Sequence, residues 1–116
     1  MKYKVIYFLS SSGDNPVKSF IYSLNEIQQL KIMRIIQILT EYGLQAIIHH
    51  IKKLKGTPFW EIRILGKDNI RIIYIIPFEN NILLLNGFLK KAQKTPSKEI
   101  NICYQRYEEF KKSLTR

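Results

Sequence analysis

Three apolar runs, "WEIRIL" (60–65), "IRIIYIIPF" (70–78) and "ILLLNGFLK" (82–90), follow one another with only the polar breaks "GKDN" and "ENN" between them. Their Ile, Tyr, Phe and Trp content marks them as strands. Breaks this short cannot hold a crossover helix, so neighbouring runs must pair antiparallel, as a meander. Pro77 has no N–H to give to a ladder and fits near the end of its strand.

The residues before the meander supply one more strand and two helices. "YKVIYFL" (3–9) is rich in β-branched and aromatic residues, and "SSSGDNP" breaks it. Asp14 or Asn15 can cap a helix with Pro16 in its first turn, running to about Leu24. A second helix begins near Asn25 and continues to Tyr42, where Gly43 is placed to end it. Ile35, Ile38, Leu39 and Tyr42 share a face flanked by Ile27, Ile32 and Ile36. Leu30 and Met33 project from the other side, either onto the first helix or toward a partner chain. "LQAIIHHIKKLKGTP" (44–58) is less regular and ends in a Gly-Thr-Pro break. After the meander, "TPSKEINICYQRYEEFKKSL" (95–114) reads as a helix capped by Thr95 or Ser97, with Ile100, Cys103, Tyr107 and Phe110 at helical spacing. The expected fold is α+β, one domain over residues 1–116: an antiparallel sheet, an N-terminal helical hairpin and a C-terminal helix.

Charge narrows the function. With 19 Lys+Arg against 9 Asp+Glu the formal charge is +10, which favours polyanionic partners. Cys103 is the only cysteine, so no internal disulfide forms and a reducing cytoplasm is expected. No apolar run approaches the ~20 residues that span a bilayer, so no membrane is expected. The Val5–Leu9 run is too short for a signal peptide and no small-x-small cleavage pattern follows it.

The cations gather on the strands. From Ile48 to Lys94 there are nine (Lys52, Lys53, Lys55, Arg63, Lys67, Arg71, Lys90, Lys91 and Lys94) against Glu61, Asp68 and Glu79. Period two turns Trp60, Ile62 and Ile64 one way and Glu61 and Arg63 the other. Arg63 and Arg71 share a face if the loop between their strands is odd in length, as a bulge at Gly66 would ensure. Lys90 and Lys91 arrive at the end of the third strand and "KKLKG" (52–56) approaches the same sheet, an arrangement suited to a phosphate backbone. No Gly-rich phosphate loop and no zinc spacing is present, so neither cofactor nor metal is expected. His49 and His50 are adjacent and diverge in any regular element. Either one of them is a general base or both are plain surface residues.

"WEIRILGKDNIRIIYII" followed by "LLLNGFLKKAQKTPSKEI" resembles the phage-related HigB branch of the RelE/ParE toxin superfamily. The matching positions are Trp60, Glu61, Arg63, Arg71, Tyr74, Gly87, Phe88, Lys90, Lys91, Lys94, Thr95, Pro96 and Glu99. "NPVKSFIYSL" and "LTEYG" are similar to that family's helical hairpin. The resemblance implies a toxin of a toxin–antitoxin pair, acting as a ribosome-dependent mRNA endonuclease. It also implies silencing by a HigA-like helix-turn-helix antitoxin, through which alone operator DNA is bound.

Carried over by residue, Arg63, Arg71, Lys90 and Lys91 would form the cleaving cluster and Lys94 would lie beside it. Lys52, Lys53, Lys55 and Lys94 are the expected RNA-binding cations. Glu61 stands where the RelE pattern has a catalytic lysine; it is either the base or an ion-pair partner of Arg63 or Arg71. No tyrosine follows the Lys90/Lys91 pair closely; Tyr104 and Tyr107 come only in the last helix. The rival readings are a ParE-type toxin that binds DNA gyrase, an RNA binder without cleavage, and a partner of the antitoxin in operator binding alone.

Overall fold

The computed structural model describes residues 3–64, 66, 69–91 and 93–115. Lys67 and Asp68 of the first turn, and Leu65 at the expected strand end, lie outside the described residues. In chain order the elements are β1 (Lys4–Tyr7), α1 (Pro16–Tyr22), α2 (Glu26–Tyr42), a 3-10 helix (Leu44–His50), β2 (Ile51–Lys53), β3 (Trp60–Ile64), β4 (Ile70–Ile75), β5 (Asn81–Leu89) and α3 (Ser97–Ser113). The five strands form one sheet in the order β1-β5-β4-β3-β2.

The meander forms as expected: β3 pairs antiparallel with β4, and β4 with β5. The sheet as a whole is mixed rather than antiparallel, because β1 runs parallel to β5. α1 and α2 carry the chain from β1 at one edge toward β2 at the other. The meander then returns it strand by strand until β5 lies beside β1. β2 is a strand where a less regular stretch was expected; Lys52 pairs with Glu61 and Lys53 with Trp60.

Local chemistry explains the helix ends. The Asn15 side chain accepts from the Lys18 N–H, and Pro16 fills the first turn. Asn25 and Gln28 make a reciprocal capping box at the start of α2. Gly43 ends α2 at φ 84, with the Tyr3 ring lying where a Cβ would project. The two helices touch each other little; α1 rests on β5, and α2 on the 3-10 helix and β1. Leu30 and Met33 stay exposed.

Two apolar layers sandwich the sheet. On one face Ile62, Ile64, Ile70, Ile72, Tyr74 and Leu84 pack against Val17, Ile21, Ile32, Ile36 and Leu39 of α1 and α2. On the other, Phe59, Ile73, Ile75, Leu83, Leu85 and Phe88 pack against Cys103 of α3. Burial raises the Cys103 thiol to about 12, so it is a core residue and not a nucleophile. Among the described residues no helix is long and apolar enough to cross a membrane.

A β-bulge interrupts β5. Ile73 pairs with Asn86 but Tyr74 pairs with Leu84, leaving Leu85 as the extra residue. Leu83 and Leu85 therefore share the α3 face with Asn86 and Phe88. α3 holds this irregularity: Arg106 Nη1 donates to the Leu85 carbonyl at 2.7 Å, and Asn86 Nδ2 donates to Glu99 O at 3.1 Å and Oε1 at 3.0 Å.

Candidate functional site

The α3 face of the sheet carries the cations where α3 does not cover it. Residues 65–69 connect β3 to β4, an odd number, so Arg63 and Arg71 are direct cross-strand partners on one face. Glu61 lies two residues back on β3, beside Lys52 of β2. The bulge at Leu85 sets the phase of the last part of β5, so Lys90 continues the alternation of Asn86 and Phe88 onto this face. Lys90 N–H extends the ladder by donating to Asn69 O at 2.8 Å.

The electrostatics follow from this crowding. Burial lowers the Lys90 ammonium below the ordinary lysine range; Glu61 opposes that, while Arg71, Lys52 and Arg63 reinforce it. Burial likewise lowers Arg71, with Glu61 raising it and Arg63 lowering it. Glu61 has no exposure at all. Its Oε2 accepts from the Thr95 hydroxyl, and its Oε1 sits 3.5 Å from Arg71 Nε, an ion pair without a hydrogen bond. Among the described residues, Glu61 Oε1, Arg63 Nε and Arg71 Nε are buried atoms with no hydrogen-bond partner. Arg71 Nη1 turns back to the Ile70 carbonyl at 2.9 Å.

Two clefts lie beside Lys90, Lys91 and residues 93–95. One, of about 330 Å³, is lined by Asn69, Arg71, Lys90, Lys91 and Gln93. The other, of about 460 Å³, is lined by Lys52, Lys53, Leu54, Lys55, Lys94, Thr95 and Ile100. The structure thus brings Arg63, Arg71, Lys90, Lys52 and Glu61 into one cluster, with Lys91 at the rim of the first cleft and Lys94 and Lys55 at the second. Lys53 also lines the second cleft but alternates toward Trp60; its ammonium lies 5.8 Å from the Trp60 ring centroid and donates to the Thr57 carbonyl.

Sequence reasoning missed three residues here. Thr95 does not cap α3, which starts with Pro96 as N-cap and no side-chain cap bond; its hydroxyl goes to Glu61. The "KTP" run singled it out, but nothing local revealed its partner. Asn69 and Gln93 carry no signal at all. His50 Nδ1 lies 3.1 Å from the Arg63 carbonyl. A carbonyl only accepts, so this nitrogen carries a hydrogen and the ring steadies β3. Among the described residues no group of three or more His, Cys, Asp or Glu is placed to hold a metal ion.

Residues 19–108 match the family model described as Phage derived protein Gp49-like (DUF891), a family of the RelE/HigB-like toxin type. No curated protein matches the chain.

Proposed function

The chain belongs to the Gp49-like family of phage-derived proteins, and from that premise we propose that it is the toxin of a toxin–antitoxin pair. It acts as an endonuclease on mRNA held by the ribosome and is of HigB type. The observation that carries this reading is the Arg63–Arg71 cross-strand pair with Lys90 and Lys52 on the same face, opening into a basic cleft. Like charges directly opposite one another are unfavourable in a sheet, and a bound phosphate relieves the conflict.

Cleavage by this cluster has three parts. The 2′-oxygen attacks the adjacent phosphorus as its proton passes to solvent water. Arg71 and Arg63 stabilise the negative charge that builds on the non-bridging oxygens, because guanidinium groups stay charged and present a forked donor set. The bond to the 5′-oxygen breaks as that oxygen takes a proton. Lys90 gives that proton, a role that its lowered proton affinity supports. Lys52, Lys55, Lys91 and Lys94 hold the flanking phosphates.

An antitoxin with a helix-turn-helix domain, HigA-like, is the proposed silencing partner, presenting acidic side chains to this surface. Operator DNA is then reached through the antitoxin.

The test is primer extension on a translated message incubated with ribosomes and the purified protein. New 5′ ends inside the reading frame, absent with Arg71→Ala, are expected. An intact message at all protein concentrations would overturn the nuclease reading. Inhibition of DNA gyrase in its place would mark a ParE-type toxin.

A further inference from the structure

Within the cationic cluster sits a carboxylate that no solvent reaches. Glu61 is the second residue of β3, with both oxygens turned to the chain's own groups, Thr95 on one side and Arg71 on the other. A general base has to come within hydrogen-bond reach of the substrate hydroxyl, directly or through one water. A fully covered oxygen already engaged by a threonine is poorly placed for that. What the position does supply is negative charge beside two arginines that face each other across the ladder.

Lys90 and Lys91 follow β5 directly, and by Thr95 the chain has reached β3, where the Thr95 hydroxyl binds Glu61 and α3 begins two residues later. Lys90, Lys91 and Gln93 line one basic cleft, and Lys94 and Thr95 line the other. One buried hydrogen bond therefore fixes a wall of each cleft. Meanwhile the Arg71–Glu61 pair is loose, and Arg71 Nε has no hydrogen-bond partner. An incoming phosphate can draw the guanidinium from Glu61 without first breaking a hydrogen bond between the two.

We propose that Glu61 is a positioning residue, an internal stand-in for a phosphate, which holds Arg63, Arg71, Lys52 and Lys90 together before RNA arrives and latches residues 93–95 through Thr95. This deepens the reading of the cluster as a phosphate-handling site and rests on it for its RNA outcomes only. Glu61 is then not the proton acceptor of the reaction.

Two variants test this. Glu61→Gln keeps an acceptor for Thr95 and removes the charge. Its melting temperature in low-salt buffer should fall, and inorganic phosphate should restore it more than it raises the wild type. RNA oligonucleotide binding should tighten, and cleavage should stay within about tenfold of wild type, since the anion competing for the arginines is gone. A cleavage loss of about a hundredfold or more at unchanged RNA affinity would assign Glu61 to proton transfer and overturn the proposal. Equal phosphate stabilisation of both proteins would also overturn it. If Glu61→Gln does not fold, adding Arg63→Gln should restore folding; a double variant that stays unfolded, with Arg63→Gln folded alone, overturns the counter-charge role.

Thr95→Val removes only the latch. Trypsin should then cut after Lys90, Lys91 or Lys94 faster than in wild type, and KM should rise more than kcat falls. Trypsin resistance equal to wild type would overturn the latch. A wild type that cuts no RNA sinks the nuclease reading alone, and the phosphate and trypsin measurements still decide the proposal.

Discussion

The two faces of the central sheet come from the same residues in alternation and have opposite fates. On the face under α1 and α2, β3 and β4 present only Ile62, Ile64, Ile70, Ile72, Trp60 and Tyr74, and all but Trp60 are buried. Burial pushes even the Tyr74 hydroxyl far above the ordinary tyrosine range, so it stays neutral. One residue along, the same strands turn Glu61, Arg63 and Arg71 to the α3 face, beside Phe59, Ile73 and Ile75. The difference lies in coverage. α3 packs chiefly on β5 and leaves the β2–β3–β4 corner to the cations. A strand with period two can thus build a core and a binding surface at once, provided that its second face is only partly roofed.

Breaking the covered face should have the largest effect. Ile72→Glu places an unpaired charge at a position with 1% exposure, at a cost of several kcal/mol against a typical total of about 5–15 kcal/mol. The expected outcome is loss of the cooperative thermal transition. Arg71→Ala, its neighbour on the open face, should fold and melt cooperatively. It should lose cleavage by about a hundredfold or more, the usual consequence of removing one donor to transition-state charge. Arg63→Ala should behave alike. A well-folded double variant that retains full toxicity in bacteria would remove the proposed site.

The open face also shows where the sequence stops being legible. The meander, the start of α1 at Asp14 or Asn15, the start of α2 near Asn25 and the Gly43 stop are local devices and read directly from residue type. The parallel pairing of β1 with β5 joins residues far apart in the chain, and alternation says which face a side chain takes, never which way a neighbour runs. β2 escaped notice because three residues containing two lysines resemble a basic loop. The bulge was hidden for another reason. Leu83, Leu84 and Leu85 are all apolar, so the run carries no phase, and simple alternation would put Leu85 with Lys91. Glu61 reads as a base or as a partner of Arg63 or Arg71, and the structure pairs it with Arg71, but residue type alone does not say that it is fully buried.

The bulge makes the next prediction specific. Lys90 faces Arg71 and Lys91 lies exposed at the cleft rim. Lys90→Ala should lower the single-turnover rate by about a hundredfold with little change in RNA affinity. Lys91→Ala should weaken binding modestly and leave the rate on saturating RNA nearly intact. Lys90→Arg should not rescue, because arginine keeps its proton. Equal small effects at both positions would show that the phase of β5 does not matter to function.

Proton affinity sharpens the same contrast. A general acid works only while protonated, and Lys90 binds its proton less tightly than an ordinary lysine. Activity should therefore fall on the alkaline side at a lower pH than an unperturbed lysine would give. Lys52 is one of the cations that lower Lys90, so Lys52→Met should move that limb to higher pH. Loss of Glu61 charge should move it lower, since Glu61 opposes the shift. Rate profiles of the three proteins with superimposable alkaline limbs would remove Lys90 from the proton-donating role.

The smallest expected effect separates two neighbours on β2. Lys52 is paired with Glu61 and belongs to the open face; Lys53 is paired with Trp60 and belongs to the other. The Lys53 ammonium is already engaged by the Thr57 carbonyl and lies near the Trp60 ring. Drawing it to a phosphate means giving up those contacts, whereas Lys52 already lies on the face where a phosphate would sit. Each phosphate contact contributes roughly one unit to the slope of log affinity against log salt. Lys52→Ala should flatten that slope by about one unit and weaken RNA binding by less than about tenfold at moderate salt. Lys53→Ala should leave the slope nearly unchanged, although both variants lose the same formal charge. Equal flattening by the two would mean that net charge, and not the face a lysine occupies, decides how RNA is held.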